Sequence, residues 1–248
     1  MDKLFFKLEA ERKINRKKIM SHILKDVIKN ISIDCVIFGF ENSSLEVLLV
    51  KRAINPEKGK WALPGGFIKK NELVKEAAQR ILEETTGIKN IYLEEITIFD
   101  AIDRYPLRRV FTIGYFALVK PEHYKLSSGV DTSEVKWFKL SEIPKLPFDH
   151  SEIVKVALEK LRTRIRYRPI GFELLPEKFT LPQLQTLYEV ILGKKLDKRN
   201  FRKKLINMNL LIKLKKTSTN GKRRPAFLYK FDKRNYERLK EKGFIFEL

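Results

Sequence analysis

Residues 65 to 88, GGFIKKNELVKEAAQRILEETTGI, restrict the possible folds of this chain more than any other stretch. The glycine pair favours a turn, and apolar residues then recur at helical spacing until Gly87, a residue type that commonly ends a helix. The pattern predicts a glycine turn followed by a helix. One interpretation of this stretch is an ordinary amphipathic helix after a glycine turn. The neighbouring sequence decides between this interpretation and a functional motif.

The flanking segments predict the sheet that such a helix would cover. ISIDCVIFGF and LEVLLVKR are rich in β-forming residues and are separated by the turn-forming ENSS, while VFTIGYFALV and VKWFKL follow later. Pro144 and Pro147 interrupt the chain before FDHSEIVKVALEKLRTRI, a helix that Asp149 can cap. Residues 31 to 161 therefore predict a mixed α/β domain.

The opening stretch resembles the Nudix box, a family motif in which glycines, glutamates and an arginine stand at fixed spacings. Two positions that carry glutamate in the family are Ile81 and Thr85 here. A frame shifted by one residue would recruit Glu83 but would misplace the arginine and the closing glycine. The resemblance implies the Nudix fold, a mixed β-sheet sandwiched by helices in which the box forms a loop, a helix and a second loop. The positions of this degenerate box are Gly66, Glu72, Arg80, Ile81, Glu84, Thr85 and Gly87.

In the Nudix family these glutamates bind magnesium beside a substrate diphosphate, and a helix brings positions 81, 84 and 85 to one face. Magnesium prefers hard oxygen ligands, often one or two carboxylates together with phosphate oxygens, so Glu84 alone offers a weak site. Glu83 lies about 100° away around the helix and is a poor substitute. We therefore expect no catalytic residue, no metal site and no cofactor, and a pocket that binds its ligand without efficient hydrolysis.

The charge of the chain indicates an anionic partner for its C-terminal third. The chain has 52 Lys and Arg against 31 Asp and Glu, a net charge of +21. Residues 162 to 248 hold 24 of the basic and 8 of the acidic residues, and so carry a net +16. A concentrated positive charge of this kind is typical of a surface that binds nucleic acid.

No membrane or export segment is recognisable. The N-terminus lacks the continuous apolar stretch of a signal peptide, and nowhere do about 18 apolar residues run together. The single cysteine, Cys35, lies in the apolar run CVIFGF and is predicted to be a buried thiol in a strand. We expect a cytoplasmic protein with no membrane partner.

Two helices and a basic hairpin are predicted within residues 162 to 248. Leu181 to Leu192 form the first helix, and Lys198 to about Met208 form the second, which Asp197 can cap. If Phe201, Leu205 and Met208 face the core, the outer face holds basic residues and two asparagines, side chains that bond to guanine and adenine edges. Asn220-Gly221 predicts the hairpin turn. This order describes a winged helix-turn-helix, whose predicted DNA-binding residues are Lys198, Arg199, Asn200, Arg202, Lys203, Asn207, Lys222, Arg223 and Arg224.

The Nudix box that lacks two glutamates is followed by the segments FTLPQLQTLYEVILG, LDKRNFRKKL and RPAFLYKF. In this combination the chain resembles the Nudix-related transcriptional regulators of the NrtR type. In that family the Nudix-like domain binds a small effector, ADP-ribose or a sugar such as arabinose, and dimers bind palindromic operators. The resemblance therefore implies a ligand-responsive transcription regulator, with double-stranded operator DNA, a sugar or ADP-ribose-like effector and a second copy of the chain as partners. The predicted effector-binding residues are Arg52, Trp61, Arg104, Arg108 and Arg109.

Other interpretations of the same residues stand beside this one. An active Nudix hydrolase with a nucleic-acid-binding tail would use Glu83 and Glu84 as an improvised metal site. A non-enzymatic adaptor would use the basic module for RNA or for an acidic protein. Residues 1 to 30 precede the resemblance and predict an accessory helical extension without an assigned role.

Overall fold

The computed structural model describes residues 27–129, 131–218, 225–244 and 246. Most of the predicted N-terminal helix lies outside the described residues, as do the Asn220-Gly221 turn and the predicted DNA contacts Lys222, Arg223 and Arg224. Residues 27 to 30, expected to be helical, belong instead to the first strand, where residue 27 pairs with Lys69 on a neighbouring strand. Pairing within the sheet therefore overrides the helical pattern at the end of the extension.

The first domain is built on a seven-stranded sheet. Its central strands are parallel to each other, and the other pairs are antiparallel, so the sheet is mixed as predicted. Asn42 and Ser43, within the predicted ENSS turn, both have positive φ, as a tight hairpin requires. The strands are β1 (Val27–Glu41), β2 (Ser44–Arg52), β3 (Trp61–Ala62), β4 (Gly65–Lys69), β5 (Glu94–Phe99), β6 (Phe111–Val119) and β7 (Thr132–Lys139).

Two helices cover opposite faces of this sheet, α1 (Val74–Thr86) and α2 (His150–Tyr167). Alternate residues of β1 point to opposite faces, so Cys35 packs with the α1 side and Val36 with the α2 side. Cys35 is fully buried as predicted, and its burial raises the pKa of the thiol. The sandwich of helices around a mixed sheet confirms the predicted fold class.

The C-terminal part contains the predicted pair of helices and hairpin, with three further elements. The helices α3 (Leu181–Leu192) and α4 (Lys198–Asn207) agree closely with their predicted bounds. A short strand that the sequence did not reveal joins the hairpin in a three-stranded sheet, and a 3-10 segment, Pro169–Leu174, and a final helix were also missed. These strands and the final helix are β8 (Phe179–Thr180), β9 (Leu211–Ser218), β10 (Ala226–Phe231) and α5 (Lys233–Glu241). The arrangement is a winged helix.

The segment between the domains is packed rather than extended as a free linker. Phe172, Leu174 and Leu175 are buried, which agrees with the packing expected from their apolar character. They belong to one hydrophobic cluster with the α2 face of the sheet and with α3 and α4. Helix α2 also continues beyond residue 161, the predicted end of the first domain, to Tyr167. The first domain's sheet and the basic helix therefore share one contiguous set of packed side chains.

Among the described residues, no helix is both long and apolar enough to cross a membrane.

Candidate functional site

Arg80 organises the charged residues of the degenerate box. It donates two hydrogen bonds to Glu72, from Nε to Oε2 at 2.7 Å and from Nη2 to Oε1 at 2.6 Å. A third bond runs from Nη1 to Oε2 of Glu84 at 2.7 Å, and Nη2 also donates to the carbonyl of Phe67 at 3.1 Å. Hydrogen bonding to Arg80 lowers the pKa of Glu72. The guanidinium thus ties the loop before α1 to the middle of the helix.

Glu84 is held by cations on both oxygens. Besides its bond to Arg80, its Oε1 lies 3.6 Å from Nζ of Lys69 on β4. The two positive groups beside this carboxylate repel a metal cation that approaches it. Among the described residues, no group of three or more His, Cys, Asp or Glu side chains could hold a metal.

Ile81 and Thr85 point into the protein rather than toward Glu84. The Ile81 side chain is 2% exposed and lies directly under Gly66, where an added Cβ would stand 3.4 Å from Ile81 Cγ1. The Thr85 hydroxyl donates a hydrogen bond to the carbonyl of Ile81 at 2.6 Å, one turn earlier in the same helix. One substitution thus extends the core, and the other satisfies its own polar group inside it.

The loop before β7 covers the C-terminal end of α1. Thr132 donates to the carbonyl of Thr85 at 3.2 Å, and the amide of Ser127 donates to the carbonyl of Thr86 at 3.0 Å. At Gly129 an added Cβ would lie 1.5 Å from the carbonyl oxygen of Glu84, so only glycine permits this approach. The last carbonyls of the helix are therefore satisfied by this loop.

Two of the predicted effector arginines join one cluster of aromatic rings near the box. Arg52 lies over the ring of Phe148, with its Cζ 5.3 Å from the centroid. Phe148 contacts Tyr105, and Tyr105 contacts Phe67, at centroid separations of 5.4 and 6.3 Å. Arg108 lies over Phe67 and Tyr105, at 4.8 and 5.6 Å. All five side chains are partly exposed. We call these residues, 52, 67, 105, 108 and 148, the cation–aromatic cluster.

Arg104, the third predicted arginine of this group, is placed differently. Its side chain is 4% exposed and donates to both oxygens of Asp149, at 2.8 and 2.7 Å, with Asp34 at 3.3 Å. Asp149 occupies the N-cap position of α2 as predicted, but its side chain makes no cap hydrogen bond, and both of its oxygens accept from Arg104 instead. Arg104 thus fastens the loop between β5 and β6 to the start of α2.

His150 extends this buried network. Its Nδ1 accepts a hydrogen bond from the backbone amide of Leu63 at 3.0 Å, and its Nε2 lies 3.5 Å from Oδ1 of Asp34. Burial lowers the pKa of His150, so the ring is neutral at neutral pH. Asp34 was a recognisable signal in the sequence, since a carboxylate within an apolar strand needs a buried partner. Its partners come from distant segments and were not predictable.

Arg109 and Trp61 have other neighbours. The Cζ of Arg109 lies 4.8 Å from the ring of Phe111 at the start of β6. Trp61 packs edge to face on Phe138, with 4.8 Å between centroids, and Nζ of Lys51 lies 5.9 Å from its ring. The described contacts of these two residues do not connect them to the cation–aromatic cluster.

Helix α4 presents the predicted basic face. Asp197 accepts a hydrogen bond from the amide of Asn200 at 2.8 Å, and Phe201 and Leu205 are buried, which confirms the predicted cap and inner stripe. Met208 is only half-buried. Arg202 is also half-buried, and its Nε has no hydrogen-bond partner among the described residues. The exposed predicted DNA contacts are Lys198, Arg199, Asn200, Lys203 and Asn207.

The fold and these two sites define a class of protein, a Nudix domain without its full acidic box joined to a winged-helix domain. A NUDIX domain model matches residues 29–157, and a model of the NrtR DNA-binding winged helix domain matches residues 171–231. The chain belongs to the NrtR-type family of Nudix-related regulators.

Two curated relatives match over different shares of the chain. The ADPR responsive transcriptional repressor NtrR of Acinetobacter baylyi is 35% identical over 211 residues, which is 83% of this chain and 83% of the relative. The ADP-ribose pyrophosphatase of Methanocaldococcus jannaschii is 37% identical over 117 residues, 47% of this chain and 68% of the relative.

Solved structures of NrtR from Shewanella oneidensis are also similar. NrtR complexed with a 27mer DNA is 32% identical with a TM-score of 0.66, covering 82% of this chain and 93% of that one. The NUDIX domain of the same protein complexed with ADP ribose is 31% identical with a TM-score of 0.50, covering 53% of this chain and 88% of that domain.

Proposed function

We propose that this protein is a transcriptional repressor that binds operator DNA through its winged helix and responds to ADP-ribose bound in its Nudix domain. The observation that carries the proposal is the cation–aromatic cluster beside a box in which Glu84, the one carboxylate among positions 81, 84 and 85, is held by Arg80 and Lys69. Aromatic faces suit a planar base, and guanidinium groups suit a diphosphate. The site can hold both ends of a nucleotide sugar.

ADP-ribose is favoured over a simple sugar by both the chemistry and the relatives. The cluster combines two cationic guanidinium groups with three aromatic rings, and a diphosphate joined to a planar base uses both the charge and the rings, whereas a neutral sugar does not use the charge. The similar repressor and the similar Nudix domain are described as responding to, or bound to, ADP-ribose. Arg104 then positions the loop that holds Tyr105 rather than binding the effector, because its guanidinium group is already bonded to both oxygens of Asp149.

The disabled box favours binding without turnover. Hydrolysis of a diphosphate requires a metal ion and an activated water, and the two positions that would complete the acidic cluster are buried as Ile81 and Thr85. The similarity to an ADP-ribose pyrophosphatase makes hydrolysis the alternative function. Turnover of ADP-ribose with magnesium on the order of 1 per second or faster would establish that alternative.

DNA binding is assigned to the exposed face of α4 and to the hairpin between β9 and β10. We propose that two copies of the chain act together, since a palindromic site matches a twofold protein dimer. ADP-ribose would change operator affinity by binding one arrangement of the two winged helices more tightly than the other. The packed path from the first domain through residues 169 to 175 to α3 and α4 supports such coupling.

Calorimetry and DNA binding on the full chain test the proposal together. We expect ADP-ribose, and not arabinose, to bind, and to release a duplex that the protein has selected from random-sequence DNA. Arg52→Gln should weaken ADP-ribose binding, while the control Lys51→Gln, one residue earlier and paired with Glu134, should not. Equal binding by both variants would contradict the assignment of the cluster, and indifference of the selected duplex to ADP-ribose would contradict the regulatory role.

A further inference from the structure

Helices α4 and α5 begin with the same four residues. Residues 197 to 200 and residues 232 to 235 both read DKRN, and each is followed by an aromatic residue, Phe201 or Tyr236. Helix α5 lies beyond residue 231, where the match to the winged-helix family model ends. The repetition therefore involves one helix that the family match covers and one that it does not.

The two copies also form the same local structure. Asp232 accepts a hydrogen bond from the amide of Asn235 at 2.9 Å, as Asp197 does from Asn200 at 2.8 Å. The aromatic residue packs inward in both helices, Phe201 against Tyr188 and Tyr236 against Phe231. Each cap and aromatic anchor leaves a Lys-Arg pair exposed on the first turn.

Helix α5 is anchored to the chain that directly follows α4. The Asn235 side chain donates from Nδ2 to the carbonyl of Asn209 at 2.8 Å, and the amide of Asp232 donates to the carbonyl of Leu210 at 2.9 Å. Because α4 has ten residues, its two ends are about 15 Å apart. The two Lys-Arg pairs thus lie well within the length of one duplex turn, about 34 Å.

Helix stability does not explain the second pair. Positive side chains in the first turn oppose the helix dipole, and α5 has no acidic residue there. Neither Lys233 nor Arg234 forms an ion pair with any residue that the structure describes. Farther along α5, Glu237 and Glu241 appear on the exposed surface, so the unbalanced positive charge is confined to the first turn.

We propose that Lys233 and Arg234 bind the phosphate backbone of operator DNA and extend the contact made by α4. This inference rests on the proposed DNA-binding function. Charge complementarity, and the anchoring of the start of α5 to the chain that directly follows α4, favour duplex phosphates as the partner. Because backbone contacts carry no sequence information, the pair strengthens binding to every sequence.

The test is the salt dependence of binding to a duplex that the wild-type protein has selected from random-sequence DNA, followed by fluorescence anisotropy. Each lost phosphate contact lowers the magnitude of the log-log slope by about 0.9. We expect a decrease of about 1.8 for the double variant Lys233→Ala/Arg234→Ala. The matched control, Lys240→Ala/Lys242→Ala, removes the same charge from the other end of α5 and should leave the slope unchanged.

A third variant, Lys198→Ala/Arg199→Ala, separates this inference from the proposed function. If it lowers the slope while Lys233→Ala/Arg234→Ala does not, α4 binds DNA and the inference about α5 is wrong. If neither lowers the slope, the inference about α5 and the assignment of DNA binding to α4 are both wrong, and if the wild-type protein selects no duplex at all, the DNA-binding function itself fails. Equal decreases for the α5 variant and its matched control would show a general effect of net charge and would also overturn the proposal. The proposal would also be overturned if Lys233→Ala/Arg234→Ala lost repression in reconstituted transcription while its salt slope stayed unchanged. That result would assign the pair to a protein partner.

Discussion

Replacing Ile81 tests the claim that the degenerate box has become part of the hydrophobic core. The side chain is 2% exposed and belongs to the cluster between α1 and the sheet. Ile81→Ala should therefore cost about 2 to 5 kcal/mol through lost burial and the cavity left behind. With a urea dependence of about 3 kcal/mol per molar, the midpoint of unfolding should fall by roughly 1 M.

Restoring the acidic residue should cost more. In Ile81→Glu a carboxyl group would enter the same apolar site, which adds several kcal/mol to the cost of removing the isoleucine. The free energy of unfolding of a whole domain is about 5 to 15 kcal/mol, so a large fraction of this variant is expected to be unfolded. Urea unfolding followed by circular dichroism measures both variants. Glu83→Ala, on the exposed face of the same helix, is the control and should change stability by less than about 0.5 kcal/mol.

One result would refute this reasoning. If Ile81→Glu/Thr85→Glu is as stable as the wild type and hydrolyses ADP-ribose with magnesium, positions 81 and 85 must reach the solvent beside Glu84. The box would then be an enzyme site short of two ligands rather than a part of the core.

Three further predictions concern buried polar groups. Asp149→Ala should destabilise the protein by about 3 to 5 kcal/mol, because Arg104 loses its bidentate partner in a buried site. Asp149→Asn keeps an acceptor for Arg104 and should cost less. Equal urea midpoints for the wild type and Asp149→Ala would contradict this network. Burial lowers the pKa of His150 below its ordinary 6.5, so the unfolded chain takes up a proton first as pH falls, and the stability present above pH 6.5 should decline below it. His150→Asn can keep the acceptor for the Leu63 amide and should flatten this decline in urea midpoints measured between pH 7.5 and 5.5. Parallel curves for the wild type and the variant would exclude His150 as the cause. The hydroxyl of Tyr188 is buried without a hydrogen-bond partner among the described residues, so Tyr188→Phe should raise stability by about 1 kcal/mol, and a lower melting temperature would show that the hydroxyl is satisfied.

The sequence was sufficient for those elements whose identity depends on neighbouring residues. Periodic apolar residues located α3 within its observed bounds, and Asp197 located the start of α4. Alternating β-branched and aromatic residues located β1, β2, β6 and β7. Four strands were missed. β3 and β8 have only two residues each, β4 begins at the glycine pair that predicted a turn, and β5 is defined mainly by its pairing with β6. The DKRN repetition was visible in the sequence, but its significance depends on where α5 is anchored.

By itself, the sequence determined that the box lacks two carboxylates and that the second helix of the C-terminal domain has a positively charged face. Both are properties of residue type and spacing, which a helix converts directly into a face. Only the tertiary structure decided which contacts each arginine makes. Arg52 and Arg108 lie over partly exposed rings, while Arg104, only four residues from Arg108, is buried and donates to both oxygens of Asp149. That difference depends on which distant carboxylate the fold brings within hydrogen-bonding distance, and sequence spacing contains no such information.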